Sequence, residues 1–186
     1  MKDTFLTKTL LFMALIFSGD LAADDDDLEY KVKAGYLYNF TKFITWPETN
    51  SPTFNLCILG DDPFGATIDP IEKKSAFSRS IRILRLDEAV FLSGPDLTSN
   101  CHILYVSNTN NQKMVFEKIR ANPHKDGILV VGETEAFVAE GGMIGFVNRD
   151  SKIKLQINLD SAKQAGIKIS AKLLEVAELI KEESHD

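Results

Sequence analysis

Two cysteines, three histidines and the adjacent aspartates Asp61 and Asp62 are the residues whose types and spacing invite a chemical reading. Asp61 and Asp62 follow the apolar run from Phe54 to Leu59, at a strand end of the kind where α/β sheets place ligands. Two carboxylates there would suit general acid and base work. The simpler reading is a turn, because Pro63 follows at once. The histidines, His102, His124 and His185, are far apart, and His102 abuts Cys101 in a strand-like run, where a packed ring is expected rather than a ligand. No Gly-x-Ser-x-Gly elbow is present, and no glycine-rich phosphate loop opens a helix. Gly141, Gly142 and Gly145 precede a strand, so they do not replace it. The expectation is a chain with no catalytic, cofactor or metal site.

The first residues read as an address. Lys2 and Lys8 precede an apolar run from Leu10 to Phe17, followed by the small residues Ser18, Gly19, Ala22 and Ala23. This is the layout of a secretory signal peptide over residues 1–23, too short in its apolar run for a membrane span, with cleavage expected after Ala23. Leu21 fits that cut imperfectly, and no Cys follows to carry a lipid. Residues 24–29, opening with four aspartates, then form an acidic, solvated tail, and residues 30–183 the domain. Nothing in the mature chain inserts into a membrane. Export makes the pair Cys57 and Cys101 read as a disulfide between neighbouring strands, with two buried thiols as the alternative.

With 186 residues, 44% hydrophobic and 26% charged, the chain has the length and composition of one globular domain. Its net charge of -6 and lack of a basic cluster exclude nucleic acid as the expected partner.

The elements that must position these residues follow from periodicity. Tyr30 to Thr45 carries Leu37, Phe40 and Ile44 at helical spacing, stopped at Trp46 and Pro47. Strands are expected over Phe54–Gly60, Arg79–Leu86, Cys101–Val106 and Gly127–Val131, with weak helical character over Phe64–Ala76. A helix capped at Asn110 or Asn111 runs to Ala121, and a short one from Thr134 to Glu140. Met143–Val147 and Lys152–Asn158 read as a hairpin, and the alternation of its second arm marks a peripheral strand. Asp160 caps a short helix, and a last helix from Ser170 carries Leu173, Ala177 and Ile180 on one face. Alternating strands and helices with a late hairpin predict one α/β domain, three-layer and Rossmann-like, with a mixed sheet.

Three stretches together carry a family resemblance. GGMIGFVNRDSKIKLQINLDSAKQAGIKISAKLLEVAELI, from Gly141 to Ile180, resembles the signature region of the YfiR/HmsC-like periplasmic proteins. YKVKAGYLYNFTKFITWP, from Tyr30 to Pro47, resembles the family's opening helix, and ILGDDPFG, from Ile58 to Gly65, its first strand and turn. The resemblance implies an exported, non-enzymatic repressor. It would bind the periplasmic sensor part of an inner-membrane diguanylate cyclase and lower cyclic-di-GMP output, biofilm and exopolysaccharide formation. Other members act beside sensor kinases or outer-membrane receptors. The resemblance also implies homodimerisation and favours an intramolecular disulfide, although better-known members carry a second cysteine pair that this chain lacks.

A repressor needs a partner-facing surface. Tyr36, Tyr38 and Phe40 on the first helix, with Met143 and Phe146 beside the glycines, are the candidates, each with core packing as the competing reading. Asn158, Ser161 and Ser170 fit capping chemistry, with a small-ligand pocket as the sharper alternative. A small-ligand module would instead place its pocket near Asp61.

Overall fold

The computed structural model describes residues 22–122 and 125–181, so the leader assigned to residues 1–23 lies outside the described residues except for its last two. His124 and His185 lie outside them as well. Helix α1 spans Ala22–Phe43 and takes in the acidic segment that the sequence pattern assigns to a tail. Within it Asp27 pairs with Lys31 one turn on.

The main sheet has eight strands: β2 Thr53–Leu59, β3 Ser75–Ala76, β4 Arg79–Leu86, β5 Ile103–Val106, β6 Leu129–Gly132, β7 Ile144–Arg149, β8 Lys152–Ile157 and β10 Ala177–Leu179. Their order is β10-β8-β7-β6-β5-β2-β4-β3. The pairs from β4 through β2, β5 and β6 to β7 are parallel, whereas β3 and β8 run antiparallel to β4 and β7. The hairpin β7–β8 turns through Asp150 and Ser151, both at positive φ (52° and 57°), the backbone form that matches the twist of the flanking strands. A second, two-stranded sheet pairs β1 (Ile44–Thr45) with β9 (Lys168–Ile169) at the end of α1.

Helices cover both faces. In register across β5, β6, β7 and β8 lie Tyr105, Val131, Ile144 and Ile157. On that face α1 packs Phe40 flat against Phe146, ring centroids 6.1 Å apart. The intervening residues Leu104 and Val130 point to the opposite face, covered by α3 (Gln112–Ala121), with α2 (Glu88–Ser93) packed beside α3. The expected mixed α/β domain is therefore what forms.

Three local expectations are overturned. The segment from Thr134 to Glu140 is a series of turns, with the Phe137 amide donating to the Thr134 carbonyl and the Gly142 amide to the Phe137 carbonyl. Its cause is Phe137, fully buried in a slot between Gly132 and Gly142, where a Cβ on either glycine would come within 2.2 Å of the ring. The last helix stops after one turn, α5 Ala171–Leu174, and the chain becomes β10, parallel to β8. Leu173, Ala177 and Ile180 fit a helical face, but a short apolar run serves either period. The unpaired edge of β8 decides it, with the Ile180 amide donating to the Ile157 carbonyl at 2.9 Å. Consequently β8 is next to the edge rather than on it. Finally, Asn158, not Asp160, caps α4 (Leu159–Gln164), its side-chain oxygen accepting from the amides of Asp160 and Ser161.

Cys57, in β2, and Cys101, just before β5, form a disulfide with Cα atoms 5.8 Å apart, as expected for adjacent strands.

Candidate functional site

After β2 the chain leaves toward β4 on one side of the sheet, and β5 returns on the other, so the connections diverge between β2 and β5. Open α/β sheets hold ligands at such a divergence, outside the carboxyl ends of the strands. Gly60, at φ 93°, turns the chain there, and Ser107 ties the two strand ends by donating to the Asp61 carbonyl at 2.6 Å. The cleft above them has a volume of about 650 Å³ and is lined by Asp61, Asp87, Glu88, Asn108, Thr109 and Asn111. Glu88 accepts from the Asn111 amide at 2.7 Å, and Asp87 caps α2 by accepting from the Val90 amide. Carboxylates and amides without a lining cation suit cationic or hydroxyl-bearing groups, not phosphate.

Asp61 thus faces the cleft, but Asp62 does not join it as a second carboxylate. Asp62 accepts from the Phe64 amide at 2.8 Å and from Arg85 Nε at 2.6 Å, the turn chemistry that Pro63 suggests.

Next to this cleft, at the end of β6, Glu133 pairs with the buried Lys33 of α1, which also pairs with Glu29. Tyr30 donates to Glu133 at 3.3 Å, and the Lys33 ammonium lies 4.4 Å from the Tyr30 ring centre. Below them Tyr105 is fully buried, and burial, with Glu133 adding to it, raises its phenol far above the ordinary range and keeps it neutral. This cluster fastens α1 over the strand ends.

Of the candidate partner residues, the structure buries Phe40, Met143 and Phe146 in the core. They leave the candidate surface because Phe40 and Phe146 pack α1 onto the sheet, while Met143 lies on the other face beside Phe116 and Val130. Tyr36 and Tyr38 are half-buried and reach the surface, Tyr38 with the ammonium groups of Lys42 and Lys74 at 4.6 and 5.0 Å from its ring centre. Exposed apolar side chains lie instead at Leu28 and Val32 on α1, and at Val176 and Leu179 beside and on β10. Sequence reasoning missed them. Leu28 and Val32 stand one helical turn apart, a signal hidden by placing the helix start at Tyr30.

At the opposite, N-terminal end of the strands, His102 sits beside the disulfide. Its ring stacks on Phe54, Nδ1 accepts from the Asn55 amide at 3.1 Å, and Nε2 lies 3.2 Å from Arg79 Nη1. Burial first, and then the Arg79 charge, pushes its pKa down to about 4. The sign follows from proton binding. Below pH 6.5 the unfolded chain takes up a proton that the folded ring refuses until about pH 4. The contribution of this group to stability is therefore complete above pH 6.5 and falls as the pH falls toward 4. A loss of about 2 kcal/mol is expected between pH 7.5 and pH 5.0. Urea unfolding at the two values checks it, with His102→Gln expected to flatten the difference; an unchanged difference in the variant would place the acid sensitivity elsewhere.

Among the described residues no helix is long and apolar enough to cross a membrane, and no cluster of three potential metal ligands forms. Comparison with curated proteins finds no match. Solved structures similar in fold include the ABC domain from Streptococcus pneumonia in complex with L-Trp, at 13% identity and TM-score 0.53, covering 79% of this chain and 60% of that one. Another is a conserved domain protein from Vibrio cholerae, at 14% identity and TM-score 0.56, covering 82% and 60%. The chain spans about 60% of the length of each, and at such identity the likeness is one of fold. The sequence model that matches is the YfiR/HmsC-like one, over residues 30–178. That span takes in α1 from Tyr30, the whole eight-stranded sheet but its last residue, and the Phe137 slot, and the chain belongs to the YfiR/HmsC-like family.

Proposed function

We propose that the protein is a periplasmic regulator that works by binding and not by catalysis. In its bound state it holds the periplasmic sensor region of an inner-membrane diguanylate cyclase in the inactive conformation, lowering cyclic-di-GMP output and with it biofilm and exopolysaccharide formation. The observation that carries this reading is the family match across residues 30–178. Binding shifts a two-state sensor only through differential affinity, and moving it from 1:99 to 99:1 takes about 10⁴-fold preference for the inactive state. Leu28 and Val32, with Tyr36 and Tyr38 on the same helix, offer apolar and amphipathic groups for such a contact. A homodimer belongs to the same proposal.

The test is capture from solubilised membranes by the purified protein, with thiols intact and then reduced, together with cyclic-di-GMP measured after deletion of the gene. Retention of a membrane cyclase and a rise in cyclic-di-GMP on deletion are expected. Unchanged cyclic-di-GMP, with no envelope sensor domain bound, would sink the proposal.

The cleft at the strand ends favours a second reading, a small-ligand module acting with a sensor kinase or an outer-membrane receptor. A similarly folded domain has been solved with L-Trp. A rise in melting temperature with ligand concentration supports this reading, and Glu88→Gln should reduce that rise if the ligand is cationic.

A further inference from the structure

On the face of the sheet away from α1, a second cavity opens between the C-terminal end of α3 and α4, below the N-terminal end of β6. Its volume is about 230 Å³. Phe116 and Ile119 of α3, Val130 of β6, Met143 and Ala165 make its apolar lining, drawn from four separate stretches of chain. Each of these five is buried in the core and turns only a small part of its surface to the cavity, which is open to solvent.

Polar groups gather at the rim only. Arg120 and Lys125 stand there with Asp126, Ser161 and Gln164. Arg120 Nη1 donates to the Glu140 carbonyl at 3.1 Å and Lys125 Nζ to the Arg120 carbonyl at 3.4 Å. Neither cation forms an ion pair among the described residues. The Arg120 guanidinium therefore keeps most of its donors for a planar anion. An apolar body with a few convergent polar groups is the make-up of small-molecule sites. The volume is below the ~300–1,000 Å³ of sites for drug-sized ligands, which restricts the occupant to a small one.

We propose that this cavity binds a small amphipathic carboxylate, its apolar chain against Phe116, Val130 and Met143 and its carboxylate against Arg120 and Lys125. The site is separate from the cleft above Asp61 and stands or falls independently of the regulatory reading. Asp126 opposes a second negative charge on the ligand, so a monoanion is preferred.

Met143 supplies the reporter. Its side chain lies in the cavity wall at 8% exposure, whereas Met114, on the outer side of α3 at 53%, serves as the internal reference. The full chain, labelled with ¹³C at its methionine methyl groups, is titrated with octanoate, octylamine and octanol, and Met143→Leu assigns the resonance. Octanoate is expected to shift the Met143 methyl saturably with Kd on the order of 1 mM or tighter, leaving Met114 in place. Octylamine should bind at least about tenfold more weakly, and Lys125→Gln, alone or with Arg120→Gln, should raise Kd for octanoate about tenfold. Both replaced side chains are exposed, so the variants retain the fold. The proposal is overturned if octanoate leaves Met143 unmoved, if both methionines shift together, if octylamine matches octanoate, or if the variants bind octanoate as tightly as the parent.

Discussion

Phe40→Ala is expected to lower the unfolding free energy by about 3–5 kcal/mol. The ring is fully buried and lies flat on Phe146, with the Tyr36 ring 6.4 Å away, so truncation opens a hole that α1 and the sheet cannot both close. Urea unfolding monitored by circular dichroism measures the loss, and Tyr38→Ala, at a half-exposed site, is expected to cost about 1 kcal/mol or less. The contrast separates two roles for the aromatic residues of one helix. A surface anchor would lose partner binding at full stability, and a Phe40→Ala protein as stable as the parent would return Phe40 to the candidate surface.

Removing the disulfide by Cys57→Ala with Cys101→Ala is expected to cost about 4 kcal/mol in the chain-entropy account, in which a cross-link restricts the unfolded chain. The bond spans a sequence separation of 44 residues and joins β2 to the start of β5, at the centre of the sheet. Both cysteines are buried, so a thiol reductant reaches them only through an opening of the sheet. Reduction should therefore be slow in native buffer and accelerate in mild urea. Unfolding curves of the double variant and of reduced parent protein should coincide, with a midpoint well below that of the oxidised protein. A double variant of parental stability would show that the unfolded chain gains little freedom when the bond is absent.

What was legible in the sequence, and what was not, divides by how local the deciding force is. Strand β4 has the bounds that its alternation predicts, Arg79–Leu86, because Ile81 and Ile83 must turn inward while Ser80 and Arg82 stay wet. The hairpin was legible for a similar reason, and the cysteine pair because the chain has only two cysteines to join. The extension of α1 ahead of Tyr30 was not, because four consecutive aspartates carry no apolar periodicity. Helix α2 went unread, its six residues from Glu88 to Ser93 being too few to show a period. Phe40 was offered as surface because a sequence shows that a helix has several aromatic faces, not which of them the sheet covers, and Met143 and Phe146 because they stand beside two glycines. In the strand-end cleft only Asp61 was anticipated. Asp87, Asn108 and Asn111 come from segments that the order of β2, β4 and β5 brings together, and no spacing in the sequence encodes that order.

The glycines around Phe137 bear on any effort to retarget the protein. Gly142 is the second residue of the signature stretch, yet what it accommodates is the protein's own ring. A library built to change partner or ligand should hold Gly132, Phe137 and Gly142 constant and spend its diversity on the outer surface of α1 and on the loops after β2 and β5. There, side chains face solvent or a cleft, and substitutions are screened by what they bind rather than by whether the chain still folds.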